Sequence, residues 1–257
     1  MKKVNYNGID LWQFEALGNE ATIRHFVTDR NTHAGGKEFT LSYSSTPDRD
    51  HVHRNRFLLA EALEVHPSKL HFPSQVHKTR ILHVTHHTLK DELLETDALV
   101  TADVGICIAV MSADCVPILL YDKKNKAIAA IHSGWRGTVA RILEKSLMEM
   151  NSLFGTKGEH VMAAIGPSVS QDSYEVGDEV VKAVNESFGK DHGLLIPQDN
   201  QKAKLDLWKA NTLQLLEFGV PPSSVEISNL CTVKNNQYFF SARKGDAGRF
   251  AAGIVLT

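Results

Sequence analysis

Residues 98–137 read ALVTADVGICIAVMSADCVPILLYDKKNKAIAAIHSGWRG. Four short runs within this stretch, 98–101, 106–111, 116–121 and 127–131, are rich in aliphatic and β-branched residues, the composition of buried strands. Asp103-Val104-Gly105 and Asp122-Lys123-Lys124-Asn125 bound them. The last two runs are predicted to pair as a hairpin over that second, polar turn. After Gly137 the period changes to a helical one, with Val139, Ile142, Leu143, Leu147 and Met150 spaced to cover one face.

Further along, 161–165 reads as a buried strand ended by Gly166-Pro167, and 178–188 and 206–218 as helices, the second closed by Gly219 and Pro221-Pro222. The runs 225–228, 238–241 and 251–256 read as closing strands. Towards the amino terminus, 79–84 is a predicted strand and 52–65 a predicted helix with Leu58, Leu59, Ala62 and Leu63 on one stripe. The Gly/Ser/Thr/Asp-rich stretch 28–49 is the least regular part, a long loop over strand fragments such as 38–42. Strands and hairpins with only a few interspersed helices predict α+β, a single domain over 1–257 with mixed β-sheets flanked by helices, not a doubly wound parallel sheet.

The chain has 257 residues, 42% hydrophobic and 23% charged, enough to bury a core without covalent staples. Its formal net charge of −2 argues against nucleic acid as a partner, since phosphate-backbone binding needs a basic face. The start has two lysines but no apolar run of signal length, and no tract reaches membrane-spanning length. A cytoplasmic protein with no membrane partner is expected. Three widely spaced cysteines, Cys107, Cys115 and Cys231, do not make a disulfide framework in a reducing compartment, so each is core, nucleophile or metal ligand.

Three segments put metal-binding side chains at predicted strand ends: His77 after a Pro-Ser turn, Cys115 in Ala113-Asp114-Cys115-Val116-Pro117, and His132 before a glycine-rich turn. Zinc accepts imidazole and thiolate, and three protein ligands leave a fourth position open, which is catalytic stoichiometry. Taken singly, each residue has an ordinary alternative: a buried cysteine is usually core, and a lone histidine is usually solvated. Gly134 and Gly137 let the backbone approach a ligand, and the helix start at 137–138 together with Arg136 suits a phosphate. A plain strand-to-helix turn with a surface arginine is the competing reading.

These residues also carry a resemblance. QVHKTRILHV (75–84), TDALVT (96–101), SADCVPILLYD (112–122), AAIHSGWRG (129–137), AAIGPSVSQDSYEVG (163–177), LDLWKANTLQLLEFGV (205–220), and Cys231-Thr232 followed by FFSARKGDAGRFAA (239–252) resemble the successive signatures of the YfiH/YlmD family of laccase-domain proteins. The family was formerly named multicopper polyphenol oxidoreductase. The resemblance implies a purine nucleoside phosphorylase with adenosine deaminase and methylthioadenosine phosphorylase activities. It also implies zinc held by His77, Cys115 and His132, with purine nucleoside and phosphate as substrates. The amino-terminal part departs from the pattern: Phe26-Val27-Thr28-Asp29-Arg30 and Gly35-Gly36 are loosely comparable, Leu41-Ser42-Tyr43 lacks the usual Asn, and Asn55-Arg56 is kept. Ala242 stands where an aromatic residue or His is usual.

On this reading phosphate attacks the ribose anomeric carbon as the purine leaves, with Arg136, Arg243 and Arg249 as candidate phosphate holders. Deamination needs an activated water and a proton-shuttling carboxylate. Asp114 is the nearest acid in sequence, and a supporting hydrogen-bond role is the expectation for it. Trp135 and Trp208 are expected to pack at core or rim. A rival enzyme reading makes Cys115 a nucleophile and His132 its base, in a hydrolase or amidase. Non-catalytic nucleotide sensing and editing of a peptidoglycan precursor are further alternatives. Multicopper chemistry needs repeated His-x-His pairs, and the chain offers only His51-Val52-His53. With His83, His86 and His87 read as surface residues, copper is expected less than zinc.

Overall fold

The computed structural model describes residues 1–32, 37–190 and 192–257. Gly35-Gly36 lie outside the described residues. From the amino terminus, β1 (Lys2–Tyr6) and β2 (Ile9–Gln13) form a hairpin over Asn7-Gly8, α1 (Glu15–Gly18) turns the chain, and β3 (Ile23–Val27) follows. Next come α2 (Arg49–Ala62) and the short strands β4 (Leu70–His71) and β5 (Ile81–His83). The central region holds β6 (Ala98–Thr101), β7 (Cys107–Ser112), β8 (Val116–Asp122), β9 (Ala127–Ser133), α3 (Trp135–Val139) and α4 (Ile142–Phe154). The chain continues through β10 (Val161–Ile165), β11 (Glu175–Val176), α5 (Asp178–Phe188), β12 (Leu195–Pro197) and β13 (Ala203–Leu205). It ends with α6 (Leu207–Glu217), β14 (Val225–Ile227) and β15 (Phe250–Leu256).

Two six-stranded sheets result, ordered β1-β2-β3-β15-β7-β4 and β14-β10-β8-β9-β6-β5, with β11-β13-β12 as a small third. Both large sheets are mixed: β4 pairs with β7, β5 with β6 and β14 with β10 in parallel, and the other pairs are antiparallel. Side chains alternate across a strand, and both faces are covered. Ile108 and Val110 of β7 meet Leu119 and Tyr121 of β8 in a core between the sheets. Ile118 and Leu120 point the other way, against Leu143, Leu147 and Met150 of α4. On the outer face of the first sheet, Cys107 and Ala109 pack with Leu59 and Leu63 beside α2. Burial on both faces explains why the central strands read as unbroken apolar runs. It also assigns Cys107 to the core, where burial pushes its thiol far above the usual range.

The predicted hairpin of 116–121 and 127–131 is β8–β9, with Val116 opposite Ser133 and Pro117 opposite His132. Four expectations need correction. The run 238–241 is not a strand: Tyr238 and Phe239 donate turn hydrogen bonds to Asn235 O, while Phe239 and Phe240 are buried as plugs. Aromatic content reads as β, yet here the rings are core anchors on a turn. The helix predicted after Gly137 is broken at Arg141, whose left-handed φ of 59° separates α3 from α4. The segment 38–42 forms no strand; Phe39 and Leu41 donate single backbone bonds to Arg30 O and Arg249 O. The helix predicted over 52–65 runs Arg49–Ala62, because Asp48 accepts the His51 amide and caps it.

Candidate metal centre and cleft

Cys115 stands where the chain passes from the first sheet to the second. β7 ends at Ser112, Asp114 turns with φ +92°, and β8 starts at Val116. The Ser112 hydroxyl donates to Cys115 O at 2.5 Å and pins the turn. His132 comes from the adjacent strand β9, one residue before its end. Continuing that register puts Cys115 opposite Gly134, and a Cβ at Gly134 would lie 2.9 Å from Cys115 Sγ and 3.2 Å from His77 Cδ2. Glycine is required there by close approach.

His77 lies in the loop between β4 and β5, with φ +61°. A buried carboxylate, Asp97, holds that loop: the backbone amides of Val76, His77 and Lys78 donate to it at 3.2, 2.9 and 2.9 Å. The same side chain accepts His132 Nδ1–H at 2.8 Å, and Asp97 O accepts the His132 amide. Asp97 thereby fixes the ring of one histidine and the backbone of the other, leaving Nε2 of His132 to face the sulfur. The two imidazoles meet edge to face with centroids 4.8 Å apart. One donor atom from each of His77, Cys115 and His132 lies within 4.8 Å of the others. Two nitrogens and a soft sulfur so converged can hold one metal ion. Among the described residues this is the only such group of three or more; His53, His86 and His87 are exposed, and His83 packs edge-on to Phe154.

The electrostatics are those of a coupled pair. Burial would raise the Cys115 thiol, but His132 and then His77 outweigh it and bring the value down to about 6. Burial would lower His132, and the Cys115 sulfur and Asp97 carboxylate overcome this and raise it to about 9. Asp97 is pushed up by burial and pulled further down by His132 and the Lys78 and Val76 amides, so its carboxyl stays below the ordinary range. Both shifts favour a thiolate–imidazolium pair at Cys115 and His132.

The three residues line a cleft of about 600 Å³. Arg243 and Arg249 line it too, as does Arg56, while Arg136 does not. Arg136 is exposed and lies over the Trp135 ring at 4.3 Å, and its helix α3 is one short turn. Trp135 and Trp208 are absent from the lining as well, and Trp208 Nε1 donates to Ser168 Oγ. Asp114 supports rather than faces the sulfur: its carboxylate accepts the Thr232 hydroxyl at 2.5 Å and the Arg243 amide at 2.8 Å. Arg243 lies over the Tyr174 ring at 4.7 Å, with Nη2 on Glu175 O.

Sequence reasoning gave no role to Asp97, Gln75 or Arg56, although all three lie in segments that carry the family resemblance. Asp97 carried a signal, an acid between a threonine and an apolar strand run. Gln75 both donates to Met111 O and accepts the Met111 amide, at 2.8 Å each, and so ties the His77 loop to β7. No sequence spacing announces such a clip.

The profile of the multi-copper polyphenol oxidoreductase laccase family matches residues 24–257. The chain belongs to that family. The laccase-family chain is 40% identical over 257 residues to a purine nucleoside phosphorylase of Bacteroides thetaiotaomicron, covering 95% of each. It is 35% identical over 244 residues to adenosine deaminase RL5 of an unknown prokaryotic organism, covering 91% of the chain and 92% of the relative. Among solved structures, YlmD from Geobacillus stearothermophilus superposes with a TM-score of 0.87 at 28% identity, covering 98% and 97% of the two chains. YfiH from Bacillus licheniformis does so with the same score at 25% identity, covering 97% of each. The mixed-sheet fold and the family expected from the sequence are thus those observed. Relatives named for two purine-nucleoside reactions support an enzyme of purine metabolism. Among the described residues, no helix is long and apolar enough to cross a membrane.

Proposed function

We propose that this chain is a zinc-dependent purine nucleoside phosphorylase, cleaving adenosine, inosine or methylthioadenosine with phosphate, and that the same cleft also deaminates adenosine. The observation that carries this reading is the convergence of His77, Cys115 and His132 on one point of a cleft that also receives arginines which, among the described residues, have no carboxylate partner. Zinc suits two imidazoles and one thiolate with a position left open, and when bound it supplies Lewis-acid polarisation of an oxygen in the cleft. Copper accepts the same donors, but multicopper chemistry needs further ligand groups, and the described residues supply one.

The protein's own residues do the rest. Asp97 keeps the His132 Nδ1 proton and so presents Nε2 as the binding nitrogen. Arg243, fixed by Asp114 and stacked on Tyr174, and Arg249 are assigned to phosphate, a bidentate task suited to guanidinium. Arg136 keeps only a peripheral claim on phosphate, since it lies outside the lining. With phosphate held by the arginines, its oxygen forms a bond to the anomeric carbon as the carbon–nitrogen bond to the purine breaks. Apolar walls from Phe72, Met111 and Ala113 suit a purine and its ribose. A site built on a thiolate also fits a reducing cytoplasm.

A second reading makes Cys115 the nucleophile, His132 its base and Asp97 the orienting acid, giving a hydrolase or amidase. The thiolate–imidazolium pair favours it; the third convergent donor, His77, favours the metal. Incubation of zinc-loaded protein with adenosine, with and without phosphate, tests the proposal. Adenine is expected only with phosphate, and inosine with or without it. Metal-free activity abolished by thiol alkylation, or full activity in His77→Ala, would discard the metal-centred reading.

A further inference from the structure

Arg56 is a half-buried cation in the wall of the cleft. It rises from α2 into the cleft, and its guanidinium carbon lies 4.4 Å from the ring centroids of both Tyr43 and Phe72. Nε and Nη2 both donate to Leu41 O, at 2.9 and 2.7 Å. Among the described residues it makes no ion pair with any carboxylate. Burial lowers its value to about 10, so it keeps its proton at neutral pH. A partly buried cation without a counter-charge is costly unless an anion completes it. Two rings and one carbonyl hold this fork still, so an incoming ligand loses little of the side chain's freedom.

Its surroundings repeat the theme. Leu41 N donates to Arg249 O and Arg249 N donates to Thr40 Oγ1, so a strand-like contact sets Arg249 beside the same segment. Arg249 spends Nη1 on the carbonyls of Asp246, Ala247 and Gly248, which turns its remaining donors elsewhere. The hydroxyls of Ser42 and Ser44 line the same cleft, 2.9 Å from one another.

We propose that Arg56 is the fixed anchor of a phosphate dianion, completed by Arg249 and the Ser42 and Ser44 hydroxyls, with Tyr43 and Phe72 as positioning residues. The inference rests on the phosphorolysis reading for the identity of the anion.

The test uses full-length, zinc-loaded protein and two readouts, calorimetric binding of inorganic phosphate and steady-state kinetics. Arg56→Met is expected to weaken phosphate binding roughly 10- to 100-fold. It should raise KM for phosphate correspondingly while KM for the nucleoside and the zinc content stay unchanged. Because Arg56 also ties down Leu41, Tyr43→Leu serves as a second variant. It leaves the Leu41 contacts in place, and a smaller weakening confined to phosphate is expected. Weakened binding of nucleoside 5′-phosphates, with inorganic phosphate unaffected, would still support the clamp and assign it to a phosphate carried by the substrate. Unchanged affinity for both in a folded Arg56→Met, or equal rises in both KM values, overturns the inference and leaves the phosphorolysis reading standing. A wild type that neither binds phosphate nor cleaves nucleosides with it removes both.

Discussion

Asp97 accepts four N–H donors on two oxygens, three from the His77 loop and one from His132. Replacing it with asparagine turns an NH2 group towards donors that need an acceptor. Asp97→Asn is expected to weaken zinc roughly 10- to 100-fold, as second-layer partners of metal-binding histidines do, measured by competition with a chromogenic chelator. Wild-type affinity in that variant would contradict the role given to the carboxylate. If the proposed zinc is the ion held, the same residues make its uptake depend on pH. Binding needs Cys115 as thiolate and His132 neutral, whereas the ion-free pair holds its proton on His132 up to about pH 9 and on sulfur only below about pH 6. Between those values the incoming ion displaces about one proton, so log affinity rises by about one per pH unit, and more steeply below the lower value. Calorimetry in buffers of different ionisation enthalpy checks the count.

At the scale of elements, the β8–β9 hairpin is what aligns chemistry. Its register sets Pro117 opposite His132, and a slip of one residue would turn the imidazole into the opposite core. β15 does the equivalent for the first sheet, lying between β3 and β7. Gly253 at its centre has no room for a side chain: a Cβ would come 2.5 Å from Phe26 Cζ and 2.7 Å from Ala109 Cβ. Gly253→Ala is therefore expected to destabilise by about 1–3 kcal/mol through overpacking, read from denaturant unfolding, despite the usual gain from removing a flexible glycine. A neutral or stabilising outcome would mean that the Phe26 ring moves aside freely.

At the scale of the whole molecule, acid stability has an identifiable contributor. His25 on β3 accepts the Phe14 amide through Nε2 at 2.8 Å, deep in the core. Burial lowers its value from 6.5 to about 4, and an Nε2 that accepts the amide has to stay unprotonated. Its stabilising contribution is present above pH 6.5 and is lost as pH falls towards 4, because the unfolded chain takes up a proton that the folded one refuses. The difference amounts to about 3 kcal/mol over that window. His25→Gln offers an uncharged acceptor to the same amide, so its unfolding free energy should fall less steeply from pH 6.5 to 4 than the wild type's. Parallel pH profiles for the two proteins would remove His25 from the account.

Local pattern was enough to place β8, β9, β10 and α5, because apolar runs of strand or helix period between strong turns leave one way to bury them. It also marked His77, Cys115 and His132 as the residues able to bind a soft or borderline ion. It missed β1 to β3, whose strands mix charged and apolar residues, and it misread 238–241. Convergence of the three donors belongs to tertiary structure. It depends on a chain crossing from one sheet to the other at Asp114, a hairpin register, and a carboxylate at position 97 whose partners lie about twenty and thirty-five residues away. The same holds for the cleft, where Arg56, Arg243 and Arg249 meet and Arg136 stays outside. Sequence determines what each side chain can do; which of them share a point in space follows from long-range burial, which no short window of sequence contains.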